Sequence, residues 1–189
     1  MGVTGRNSGE LAMSEKFQNK YRIQTARLRN WDYSSNAMYF VTICTKDRNH
    51  YFGKITGNND ATCCVSLTEI GKTANQCWHD IPDHFPFVKL DAFVIMPDHM
   101  HGIIIIDKPD ETGTTGPHTP NKFGPQLKNL ASIVRGFKIG VTKYARNNDI
   151  AFAWQPRYYD HIIRDKKSFK NITNCISENL LKWNHEEYY

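Results

Sequence analysis

"LDAFVIMPDHMHGIIII", Leu90 to Ile106, decides how this chain folds. An apolar, partly β-branched run reaches Met96, Pro97-Asp98 supplies a tight turn, and a second apolar run leaves from His99 to Ile106. The pattern predicts two strands, Leu90–Met96 and His99–Ile106, joined as a hairpin. Side chains alternate across a strand, so His99 and His101 share one face while Asp98 and Met100 point away. Two imidazoles so placed are either the start of a metal site or a hydrogen-bonded pair. As ligands they need a third donor from another element.

Working outward, "MYFVTICT" (Met38–Thr45) is rich in β-branched and aromatic residues and predicts the first strand. Residues 46–64, with "TGNND", predict a loop and turn. Ser66 and Glu69 have the spacing of a capping box. Ile70, Ala74, Cys77, Trp78 and Ile81 follow at helical spacing, and Pro82 is expected to end that helix. Beyond the hairpin, residues 107–125 are rich in Gly, Pro and Thr and predict a long surface loop. Leu127, Leu130, Val134, Phe137, Val141 and Ala145 mark a second helix, Tyr158–Arg164 a fourth strand. Ser168 is expected to cap a last helix striped by Phe169, Ile172, Ile176 and Leu180 or Trp183. Strand, helix, strand, strand, helix, strand is the ferredoxin-like α+β order, here with an added C-terminal helix. In that pattern helices cover one face of an antiparallel sheet. Residues 1–30, with Lys16, Lys20, Arg22, Arg27 and Arg29, are expected to be a flexible basic arm, and 31–189 a single domain.

The chain has 189 residues, 40% hydrophobic and 23% charged, an ordinary globular balance. No apolar run reaches membrane-spanning length, and "MGVTGRNSGELAMSEKFQNK" has no signal-peptide core, so a cytoplasmic protein is expected. The five cysteines are odd in number and form no CxxC pair, which predicts reduced thiols rather than a zinc site or disulfide framework. The net charge of +5 is mild, but its distribution is uneven. Lys128, Arg135, Lys138, Lys143 and Arg146 lie on the second helix; Arg157, Arg164, Lys166, Lys167 and Lys170 follow. Phe137, Tyr144, Trp154, Tyr158 and Tyr159 are interleaved among them. Cations for phosphates and rings for bases suit single-stranded nucleic acid, and a solvated helix face looks the same. On the last helix Cys175 and Asn179 are four apart, with Glu178 beside them. Either oxygen-bearing residue could complete a cation site or be ordinary surface.

"FVIMPDHMHGIII", then "WQPRYYDHIIRD" and a closing "NLLKW", resemble the REP-associated tyrosine transposases, a branch of the HUH single-strand DNA endonucleases. "YRIQTARLRNWDYSSNAMYFVTICTKDRNHYFG" and "KNLASIVRGFKIGVTKYAR" extend the resemblance from about Phe17 to Trp183. The resemblance implies a ferredoxin-like domain, usually dimeric, acting on single strands that fold into hairpins. It implies Mg²⁺ or Mn²⁺ on His99 and His101, completed by Asn179. It also implies attack by a tyrosine one turn before that asparagine, giving a 5′-phosphotyrosine and a free 3′-OH. The family's last helix reads close to "DYI-x-NNP-x-KW"; here it reads "NCISENLLKW", with Cys175 at the tyrosine and Leu180 at the proline. A thiol is shorter than a phenol, Mg²⁺ does little for it, and a place beside an apolar stripe keeps it protonated. Weakened or absent nicking is therefore expected, the alternative being a non-catalytic DNA- or RNA-binding derivative. Tyr144, Tyr158, Tyr159, Tyr188 and Tyr189 are the other tyrosines weighed, none of them one turn before Asn179.

Overall fold

The computed structural model describes residue 28 and residues 31–56, 64–109 and 128–183, with the backbone of two short strands, β1 (Lys16–Phe17) and β2 (Lys20–Tyr21). The rest of the basic arm, the 107–125 loop beyond Pro109, Leu127, Tyr188 and Tyr189 lie outside the described residues.

Four strands form the central sheet: β3 (Ala37–Cys44), β6 (Val88–Ile95), β7 (His99–Ile106) and β8 (Tyr159–Ile163). Their order is β6-β7-β3-β8, with every neighbour antiparallel. With α1 (Glu69–His79) and α3 (Leu130–Asn147) between the strands, this is the ferredoxin-like arrangement. The alternation in β3 follows the sheet period: Tyr39, Val41 and Ile43 are fully buried on one face, Met38 and Phe40 pack on the other.

Both faces are covered, unlike the expected one. Tyr39, Val41, Met100, Ile104 and Ile106 meet Ile70, Ala74 and Trp78 of α1 and Ile133, Phe137 and Val141 of α3. On the opposite face Ile103, Ile105, Phe40 and Ile163 receive Phe169, Ile172 and Ile176 of α4 (Lys166–Trp183). The reason is legible in β7: the run Ile103–Ile106 is apolar on both sides, and a sheet so patterned needs two covering layers. His99 and His101 share the face of Ile103, so they lie under the same layer as α4.

Gly102 fits this packing. A Cβ there would lie 2.3 Å from Cζ2 of Trp78, whose indole presses on the strand between the two apolar layers. Only a residue without a side chain lets the indole come so close.

Several boundaries differ from expectation. A hairpin, β4 (Gly53–Thr56) with β5 (Cys64–Leu67), occupies part of the predicted 46–64 loop. Thr68, not Ser66, caps α1, accepting from Gly71 N at 3.1 Å. Asp165, not Ser168, caps α4: its Oδ1 accepts from Ser168 N at 2.8 Å. α1 ends before Pro82, which sits in the first turn of a short α2 (Ile81–His84), where proline's missing N–H costs nothing. Among the described residues no helix is long and apolar enough to cross a membrane.

Candidate functional site

The hairpin turn that precedes β7 is tied down on both sides. Thr45 donates to the Asp98 carbonyl through N at 2.9 Å and Oγ1 at 2.8 Å, and Phe52 N donates to Pro97 O at 2.9 Å. This positions Asp98, which does not point away. It is buried, and its Oδ1 lies 2.6 Å from His99 Nδ1. A carboxylate only accepts, so His99 carries its proton on Nδ1 and leaves the Nε2 lone pair free. Burial alone would raise the Asp98 carboxyl; the His99 hydrogen bond and charge, with Arg48 and His50, hold it below the usual range.

His101 is held in a parallel way. Its Nδ1 lies 2.8 Å from Thr42 Oγ1, the residue opposite it in β3, and its ring stacks on Phe40. Burial first, then the neighbouring His99 and Arg48, push His101 down to about 4, so it is neutral near pH 7. The two Nε2 atoms face each other at 3.0 Å. Two nitrogens about 2.1 Å from one ion, at right angles, stand about 3.0 Å apart, so the pair fits two adjacent positions of an octahedral cation. Among the described residues no third His, Cys, Asp or Glu joins them.

α4 ends over this pair. The Trp183 indole stacks on His99 with ring centroids 5.8 Å apart, and His50 meets Trp183 edge-on. Asn179 is one turn, about 6 Å of rise, before Trp183 on the half-buried side of α4. Its amide makes no hydrogen bond among the described residues, which leaves it available as a donor oxygen. Glu178 pairs with Lys182 at 2.9 Å on the exposed side and is not placed for the cation. Cys175, a further turn back, is exposed, so burial among apolar neighbours is not what would keep its thiol inert. Tyr159 is exposed and stands in register with Thr42, hence in one row with His101 on the same face.

The basic residues divide between two places. Arg135, Lys138, Lys143, Arg146 and Arg157, with Tyr158, line a groove of about 790 Å³ along α3, the helix that packs on the face of the sheet opposite α4. Lys138 is half-buried there: Nζ donates to the carbonyls of Gln155 at 3.1 Å and Arg157 at 2.7 Å, and lies over the Trp154 ring. Burial pushes its ammonium down to about 8, against a smaller opposing effect of Cys44. Lys138 therefore fastens the 155–157 segment more than it offers a charge to solvent. Arg164 lies apart at the β8 edge, over the Trp31 ring, and Lys128 precedes α3 with φ 62°. Around that edge, on the histidine side, Phe40, Tyr159, His161 and Lys167 line a second groove of about 450 Å³.

Sequence reasoning missed Thr42, Arg48, Trp183 and the bracing role of Asp98. The strand register that puts Thr42 opposite His101 is not written in a local pattern.

No protein-family model matches the chain. It is 39% identical over 173 residues to an uncharacterised protein of Haemophilus influenzae, across 88% of this chain and 92% of that one. A second protein of that organism, described as "Putative REP-associated tyrosine transposase", is 25% identical across 82% of this chain and 77% of its own length. The fold also matches a solved REP-associated tyrosine transposase bound to a REP hairpin: TM-score 0.56, 18% identity, 86% of this chain and 75% of that one. Fold and relatives together define a transposase-like protein. In sequence and in fold the chain is similar to REP-associated tyrosine transposases.

Proposed function

We propose that this protein binds single-stranded hairpin DNA together with one Mg²⁺ or Mn²⁺ ion, held by His99, His101 and Asn179, and that nicking is weakened or lost because Cys175 replaces the attacking tyrosine. The observation that carries the reading is the 3.0 Å Nε2 pair with both Nδ1 atoms tied back, a donor set prepared for a cation. A cation there would polarise a phosphate oxygen and stabilise charge building on it. Asp98 and Thr42 fix the two rings, α4, which carries Asn179, packs on the same face of the sheet, and Trp183 stacks on His99. The hairpin in the related structure belongs to that protein; here the basic α3 groove and the aromatic-lined groove of Phe40 and Tyr159 supply a path for a single strand around the β8 edge. The protein is read as a homodimer, as the resemblance implies, and as cytoplasmic, as the sequence itself leads one to expect; light scattering tests the dimer.

The deciding experiment is calorimetry on wild type and His99→Ala. Mn²⁺ should bind wild type more tightly than Mg²⁺, since two imidazoles favour the softer ion, and binding should be lost in the variant. Equal binding by both would remove the site. The second reading, a DNA- or RNA-binding derivative without chemistry, is favoured by the cysteine at position 175 and would show as hairpin binding with no strand cleavage.

A further inference from the structure

Arg48 stands beside the histidine pair in an unusual backbone. Asp47 and Arg48 have φ of 54° and 55°, two consecutive non-glycine residues in the left-handed region. Such conformations persist only where surrounding contacts hold them, and they gather at functional sites. Here the contacts are visible. Nε of Arg48 bonds Oδ2 of Asp98 at 2.7 Å, the carboxylate whose other oxygen holds His99. Nη1 donates to Cys44 Sγ at 3.0 Å, and Cys44 is the residue opposite His99 in the sheet. The guanidinium is thus anchored at two points that flank His99.

Two anchors use two of the five guanidinium N–H groups; among the described residues the other three have no partner. The side chain is 51% exposed although Asp98 beneath it is buried. A purely structural bridge would bring more of its donors to protein acceptors. Instead a planar cation with open donors stands one carboxylate away from His99.

We propose that Arg48 contacts a phosphate oxygen of the nucleic-acid strand at the histidine site, as a second positive group beside the cation. This rests on the reading that a phosphodiester enters there. Arg48 donates from its outer edge while Asp98 and Cys44 hold its orientation. A fixed fork suits two phosphate oxygens, and it stabilises charge on the oxygens the cation does not reach.

The test uses inorganic phosphate as probe, with the full chain labelled with ¹⁵N, metal-free and with Mg²⁺. The Arg48 Nε–H resonance should shift saturably with phosphate in both conditions. Arg48→Gln should weaken phosphate binding about tenfold or more while leaving Mn²⁺ affinity within about threefold of wild type. Arg48→Lys, which keeps charge but loses the fork, should fall between them. Unchanged phosphate binding in Arg48→Gln overturns the proposal. So does a fall in Mn²⁺ affinity as large as that of Asp98→Asn, since Arg48 would then only brace the ligand. If wild type binds no Mn²⁺, the cation reading fails, and the metal-free titration still decides Arg48.

Discussion

At the scale of the residue, the histidine pair depends on atoms that are not histidine. Asp98 and Thr42 each hold one Nδ1, and partners of this kind orient a ligand and set its tautomer. Asp98→Asn and Thr42→Val should therefore each lower Mn²⁺ affinity by about 10- to 100-fold in calorimetry, with little change in hairpin binding. Unchanged metal affinity in both would mean the rings need no bracing. Cys175 carries the next expectation. Wild type should form no covalent adduct with labelled hairpin DNA on a denaturing gel. Cys175→Tyr should form one, weakly because Leu180 replaces proline at the helix end, and the adduct should vanish when His99→Ala is added. A wild-type adduct would point to Cys175 itself or to Tyr159, which Tyr159→Phe would separate. The histidines were legible from spacing because a strand's period is two. Thr42 and Arg48 were not, since one depends on register across the sheet and the other on a left-handed turn.

At the scale of the element, the four central strands and three long helices were readable because each strand is a short run rich in β-branched and aromatic residues and each helix carries an apolar stripe of period 3.6. The β4–β5 hairpin escaped notice because its strands are four residues each, in a polar stretch. The side of the sheet taken by α4 was equally hidden: a helical stripe says that a face is buried, never against which partner. The contact between Gly102 and Trp78 yields a stability test. Gly102→Ala must push the indole or the strand, costing about 1–3 kcal/mol by overpacking. Denaturant unfolding should show that loss, and Trp78→Phe added to it should cost less than the two single changes summed. Strict additivity would mean the indole is not what excludes the methyl.

For the whole molecule, the sheet separates two surfaces that a linear reading had merged. The α3 groove and the histidines open on opposite sides, so one strand serving both must round the β8 edge. Arg135→Ala with Lys143→Ala should weaken binding to every hairpin and flatten its dependence on salt, because phosphate contacts displace counterions. An unchanged slope in fluorescence anisotropy would place the strand elsewhere. Lys138→Ala should act differently, loosening the 155–157 segment and lowering the melting temperature. The stacking of Trp183 on His99 also has a consequence for energetics across the molecule. The ring that would grip a cation and the end of α4 rest on each other. Ion capture and helix docking then share one coupling free energy, and coupling is reciprocal. Loading the ion should then slow amide exchange along the last turns of α4, and loosening the indole by Trp183→Ala should weaken ion binding.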